Sequence, residues 1–133
     1  MNKLKVLVAD DHEGFRRILA SFLGSQQGVE IVGEAANGVE AVEQAQRLQP
    51  DLVLMDLDVT EGGGYEATKE IKLLVPHAKV VVLSMHGNEI YRRMARRFSA
   101  DGFIDKASMK SDLLAIIVTA REELCEEVLA EAV

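Results

Sequence analysis

Four short stretches of this chain carry residues able to do chemistry: Asp10-Asp11, Asp56, Ser84 and Lys106. Each closes a short apolar run, the runs being Leu4 to Ala9, Leu52 to Met55, Val80 to Leu83 and Gly102 to Asp105. A charge at the tip of a buried strand is costly unless something pairs with it, so these groups are expected to meet. Three carboxylates beside one ammonium repel one another and call for a further cation. Mg²⁺ suits them, because it prefers oxygen ligands and keeps several waters. His12, His77 and His86 are scattered and read as structural or exposed, so no clustered zinc pattern competes. With a hard cation present, an ionised Asp56 can attack phosphorus in line while Ser84 and Lys106 contact the equatorial oxygens, giving an aspartyl phosphate.

The elements that must position these groups follow from periodicity. A fifth run, Glu30 to Ala35, joins the other four, and all five alternate with helical segments, which is the pattern of βαβ units on a parallel sheet. In the first helix Phe15, Ile18, Leu19, Phe22 and Leu23 recur at helical spacing, with Arg16, Arg17 and Ser21 on the other side. The second spans about 38–48, entered through Asn37 and stopped near Pro50; the third spans about 65–74, ending before Pro76. The fourth covers about 89–98. The last starts near Ser108 or Ser111 and aligns Leu113, Ile117, Leu124 and Val128. Right-handed crossovers make such a sheet doubly wound, and an open α/β sheet binds its ligands at the carboxyl ends of the strands. The polar strand ends are therefore expected in one crevice.

Length and composition agree with a single α/β domain over 1–133: 133 residues, 48% hydrophobic and 28% charged, with no apolar run near the roughly 18 residues of a membrane span. No signal-peptide pattern precedes the first strand, and the one cysteine, Cys125, can form no internal disulfide, so a cytoplasmic location is expected. A net charge of -7 disfavours a duplex nucleic-acid surface and suits a divalent cation or a basic protein partner.

Taken together, Asp10-Asp11 after Val6-Leu7-Val8-Ala9, the run Leu54-Met55-Asp56, the stretch Val82 to His86 and the stretch Gly102 to Lys106 resemble the receiver domain of bacterial two-component response regulators, over essentially the whole chain. The resemblance implies a flavodoxin-like five-stranded parallel sheet in the order 2-1-3-4-5 with five helices on both faces. It implies that Asp56 accepts a phosphoryl group from a histidine kinase or phosphotransfer protein. Asp11 and the backbone carbonyl of Asp58 would join Asp56 around Mg²⁺, with Asp10 acting mostly through water. Ser84 and Phe103 would form a switch pair. Departures from the usual pattern cluster after the acceptor, where Val59-Thr60 replaces Met-Pro and Gly62-Gly63-Gly64 follows, which predicts a looser loop. Phe103 has no hydroxyl, so its readout must be packing, and Met85 beside Ser84 is bulkier than usual.

Arg92, Arg93, Arg96 and Arg97 on the fourth helix read either as a solvated face or as an interface. As an interface they would act with the fifth strand and last helix, where Glu122, Glu123, Glu126 and Glu127 offer complementary charge within one chain or across a symmetric homodimer. Direct DNA binding by these arginines is not expected. The enzymatic rival is a haloacid-dehalogenase-like phosphatase, since Asp56-Leu57-Asp58-Val59-Thr60 has the Asp-x-Asp-x-Thr form, with Asp56 as nucleophile and Asp58 as acid/base. Against it, the acidic pair precedes the motif and little chain remains downstream for the later acids. A receiver-like module unable to be phosphorylated would lack Asp11, Asp56 or Lys106, and all three are present. The chain reads either as a stand-alone regulator or as the receiver of a longer one, because Leu83-Ser84-Met85-His86 resembles receivers that precede a helix-turn-helix domain.

Overall fold

The computed structural model describes residues 3–57 and 63–132, without the side chains at 128, 129, 131 and 132. Five strands, β1 (Leu4–Ala9), β2 (Val29–Ala35), β3 (Leu52–Asp56), β4 (Lys79–Ser84) and β5 (Gly102–Asp105), form one sheet in the order β2-β1-β3-β4-β5, every pair parallel. The expected architecture is therefore present. β3, the middle strand, is buried at every position, as a strand covered on both faces must be. Strand alternation divides its neighbours between two cores. Leu7, Val53, Met55 and Val82 face α2 (Gly38–Leu48), α3 (Gly64–Leu74) and α4 (Glu89–Arg97), while Val6, Val8, Leu54, Leu83 and Ile104 face α1 (Glu13–Gly24) and α5 (Met109–Ala132).

Local chemistry sets the helix ends that aim the site. Asn37 accepts the Glu40 N–H at 2.9 Å and its amide donates to the Glu40 carboxylate at 3.1 Å, a reciprocal cap that starts α2. Asn88 caps α4 by accepting the Tyr91 N–H at 3.2 Å. Gly63, at φ +55°, precedes α3 and supplies a backbone state that side-chain-bearing residues avoid. At the far edge of the sheet, Asp51 accepts the Lys5 N–H and Asp101 accepts the Val80 N–H, while Lys72 pairs with Asp101 at 3.0 Å. Those acids anchor strand starts.

Two sequence expectations for α1 are corrected. Ile18 is 65% exposed, whereas Arg16 has its side chain only 16% exposed. Both residues lie on the borders of the stripe made by Phe15, Leu19, Phe22 and Leu23. One border opens to water; the other abuts β2 and the β1 exit, which give Arg16 polar partners. On α5, Leu113 and Ile117 are buried and Leu124 partly so, as expected, while Val128 lies outside the described side chains. Among the described residues, no helix is long and apolar enough to cross a membrane.

Candidate functional site

Asp10 follows β1, while Asp56 and Ser84 are the last residues of β3 and β4, paired in the ladder with Leu83 and Asp105. The ladder thus holds the latter two by backbone hydrogen bonds, and all three side chains are buried to 1% exposure. Lys106 opens the 3₁₀ turn Lys106–Ser108 after β5, its side chain 12% exposed. Its Nζ donates to Asp56 Oδ2 at 3.1 Å, lies 3.9 Å from Asp10 Oδ2 and sits 4.5 Å from the centre of the Phe15 ring on α1. An ammonium between two buried carboxylates and an aromatic face is placed by all of them. Asp10, Asp11, Asp56, Ser84 and Lys106 are therefore gathered at the carboxyl ends of the strands.

The Asp10-Asp11 turn is fixed from several sides. Asp10 Oδ1 accepts the His12 N–H at 2.8 Å, and Arg16 donates to the Asp10 carbonyl at 2.8 Å while its Nε meets Glu34 at 3.1 Å. Burial is the largest influence on the Asp10 carboxyl and pushes its pKa up from 3.8 to about 6; the His12 N–H opposes this, Asp56 adds to it and Lys106 offsets it. Asp10 Oδ2 and Asp11 Oδ1 are buried without a hydrogen-bond partner. Buried acceptor lone pairs that lack donors are what a cation satisfies, and a hard oxygen-loving divalent ion fits this donor set. Asp10, Asp11 and His12 offer ligand atoms that all lie within 4.8 Å of one another.

Ser84 Oγ accepts the His86 N–H at 3.0 Å, which folds the β4 exit back on itself. Phe103 pairs with Val82 across β4 and β5, so Ser84, two residues beyond Val82, shares its face of the sheet. The Phe103 ring is half-buried, with the Arg92 guanidinium 4.8 Å from its centre, and Arg92 Nε also donates to the Gly87 carbonyl at 3.2 Å. One arginine thus joins α4, the loop before it and β5. Tyr65 on α3 donates to the Tyr91 carbonyl at 3.1 Å and stacks on Phe98 at 5.4 Å, while His86 stacks on Tyr91 at 5.1 Å. Burial, with the nearby Tyr91, raises the Tyr65 phenol pKa.

Asp58, Val59, Thr60 and Gly62 lie outside the described residues, and with them the expected carbonyl ligand, most of the looser loop and the phosphatase motif beyond Asp56 and Leu57. Met85 is 67% exposed and projects away from the core. Phe15, Arg16 and Arg92 were legible only as a core residue and solvated cations. Their roles depend on partners far along the chain, although an aromatic four residues after the acidic pair was a usable signal.

A family model described as the response regulator receiver domain matches residues 6–118. The chain is 40% identical to the response regulator protein VraR of Staphylococcus saprophyticus over 116 residues, covering 86% of this chain and 54% of that protein. It is 40% identical to VraR of Staphylococcus aureus over 123 residues, covering 90% and 58%. The chain thus spans about half the length of the curated relatives it matches. Among solved structures, the response regulator domain of Thermotoga maritima CheB superposes with a TM-score of 0.82 at 31% identity, covering 90% of this chain and 96% of that one. The signal receiver domain of NarL from Mycobacterium tuberculosis superposes at 0.83 and 25% identity, covering 91% and 98%. The phosphatase reading draws no support from these matches. With the receiver model matching residues 6–118 and the strand order agreeing, the chain belongs to the receiver domain family of two-component response regulators.

Proposed function

We propose that residues 1–133 form one receiver domain working as a phosphorylation switch in the cytoplasm, with Asp56 accepting a phosphoryl group from a histidine kinase or phosphotransfer protein. The observation that carries this reading is Lys106 Nζ at 3.1 Å from Asp56 Oδ2, beside two buried carboxylate oxygens without donors. In the transfer an Asp56 oxygen bonds to phosphorus as the phosphorus–nitrogen bond of the phosphohistidine breaks and the imidazole departs. Mg²⁺, when bound, neutralises the oxygens of the transferring group. Asp11 and Asp56 would hold that ion, with Asp10 acting through water and the expected carbonyl ligand, Asp58, lying outside the described residues. Lys106 already lies at the acceptor and contacts the incoming phosphoryl oxygens. Ser84 gives up its local bond with the His86 N–H and turns to the phosphate, and Phe103 on the same sheet face moves inward. The only chemistry is on Asp56 itself, so the domain signals rather than turns over a substrate. Output leaves through the α4/β5/α5 face to a partner or a second copy, without direct contact to nucleic acid.

The test is intact-mass analysis after incubation with acetyl phosphate and Mg²⁺, beside Asp56→Asn. The wild type should gain one phosphoryl group and the variant none. Equal labelling of both proteins would remove Asp56 as the acceptor.

A further inference from the structure

We propose that Arg16 on α1 is a positioning residue for the acidic turn: by holding the peptide that joins Asp10 to Asp11, it aims the Asp11 carboxylate into the crevice. The inference rests on the reading above that Asp11 helps to hold Mg²⁺. Three observations support it. Arg16 Nη1 donates to the Asp10 carbonyl at 2.8 Å while Nε donates to Glu34 Oε1 on β2 at 3.1 Å, so the planar fork is fixed at both ends. The Arg16 side chain is only 16% exposed, against 73% for Arg17 beside it. Asp11 Oδ1 is buried without a hydrogen-bond donor, and the His12 imidazole 3.4 Å away is 83% exposed and holds it weakly. The aim of Asp11 is therefore inherited from the backbone before it.

That backbone is rigid. The Asp10–Asp11 peptide is planar, so fixing its carbonyl also fixes the Asp11 nitrogen and limits where the Asp11 Cα can lie. Other bonds hold Asp10 itself, whose N–H donates to the Ala35 carbonyl at 2.9 Å and whose Oδ1 accepts the His12 N–H at 2.8 Å. Arg16 adds a hold on the peptide that follows. Its anchor is stiffened in turn, because the Gln44 amide donates to the Glu34 carbonyl at 2.9 Å. The competing explanation is that Arg16 only clasps α1 to β2 and contributes stability. Charge separates the two, since a guanidinium beside a cation site repels the ion and its removal by charge alone tightens Mg²⁺. Loss of a positioning contact weakens it.

Arg16→Met keeps the stem and removes the donors. In a titration of the full chain with MgCl₂, followed by backbone amide resonances, it should weaken Mg²⁺ about tenfold. In labelling by acetyl phosphate, the Mg²⁺ concentration for half-maximal rate should rise by the same factor, with the rate at saturating Mg²⁺ within about twofold of the wild type. Arg16→Lys keeps the charge but reaches one acceptor at a time, so it should weaken Mg²⁺ about two- to threefold, and it carries the test if Arg16→Met does not fold. Glu34→Gln should weaken Mg²⁺ alone and have no further effect beside Arg16→Met, because it acts through the guanidinium. The inference is overturned if the Arg16 variants bind Mg²⁺ as tightly as the wild type or more so, or if Glu34→Gln has the same effect in both backgrounds. A wild type that binds no Mg²⁺ would strike the metal reading and this inference together, whereas one that binds Mg²⁺ but leaves Asp56 unlabelled would strike the phosphorylation reading alone.

Discussion

Asp10 sits where burial and function pull in opposite directions. Its native pKa is raised from 3.8 to about 6, so between those values the folded protein binds more protons than the unfolded chain. Stability from this group is therefore greatest below about pH 4, falls as pH rises toward 6, and stays lost above it. Asp10→Asn keeps an oxygen for the His12 N–H and removes the buried charge, so in chelator it should stabilise the protein at pH 7 by about 1–3 kcal/mol. Urea midpoints measured from pH 4 to 8 should converge at the acid end. A constant gap between the two proteins across that range would contradict the account. Phe15 makes a second residue-scale prediction, because its ring faces the Lys106 ammonium at 4.5 Å. Phe15→Leu keeps apolar volume and removes a contact of about 0.5–2 kcal/mol, so labelling by acetyl phosphate should slow roughly two- to thirtyfold. Mg²⁺ affinity should hold within twofold, whereas a parallel fall in Mg²⁺ affinity would mean general disruption. Asp10, Asp56, Ser84 and Lys106 were legible in the sequence because parallel strands align their carboxyl ends. Phe15 and Arg92 were not, since a residue's type does not reveal which neighbour the tertiary fold brings to it.

Elements aim these residues through close contacts that tolerate little. Gly64 starts α3 with its Cα so near β3 that an added Cβ would lie 2.8 Å from Leu57 Cα and 2.9 Å from the Asp56 carbonyl oxygen. Both obstacles are backbone, and one belongs to the proposed acceptor. Gly64→Ala should therefore cost about 1–3 kcal/mol and slow labelling of Asp56, whereas an unchanged urea midpoint would show that α3 can slide away. Arg92 links elements rather than atoms of the site, resting on Phe103 and donating to the Gly87 carbonyl. A cation–π contact of about 0.5–1 kcal/mol sets a two- to fivefold population ratio, so Arg92→Gln should raise the unphosphorylated share of inward Phe103 by that factor. Ring resonances of Phe103 followed by NMR would report it, and resonances identical in both proteins would exclude Arg92 as a restraint. Periodicity located the five strands, the bounds of α2, α3 and α4 and the start of α5 to within a residue or two, and failed at Ile18 and Arg16. A stripe's borders depend on what packs beside the helix, which spacing along one helix cannot encode.

At the scale of the molecule, charge is segregated although the total is only -7. Of the four arginines of α4, Arg96 pairs with Glu89 at 2.9 Å and Arg92 covers Phe103, whereas Arg93 and Arg97 are exposed and make no ion pair among the described residues. The second half of α5 carries Glu122, Glu123, Glu126 and Glu127, of which Glu123 reaches Lys79 at 3.9 Å within the chain. Two exposed cations on one element and a row of anions on another can satisfy each other across a two-fold axis, which makes any such dimer isologous. Its attraction acts between exposed charges and is screened over about 10 Å at 0.1 M salt, so association of the phosphorylated protein should weaken about tenfold or more between 50 and 500 mM NaCl. Arg93→Glu with Arg97→Glu should abolish association without lowering the urea midpoint, because neither residue is buried. Light scattering with acetyl phosphate and Mg²⁺ decides the matter. Dimers that persist in the double variant would move the contact to the exposed apolar pair Leu114 and Val118 on α5, and salt would then strengthen rather than weaken them.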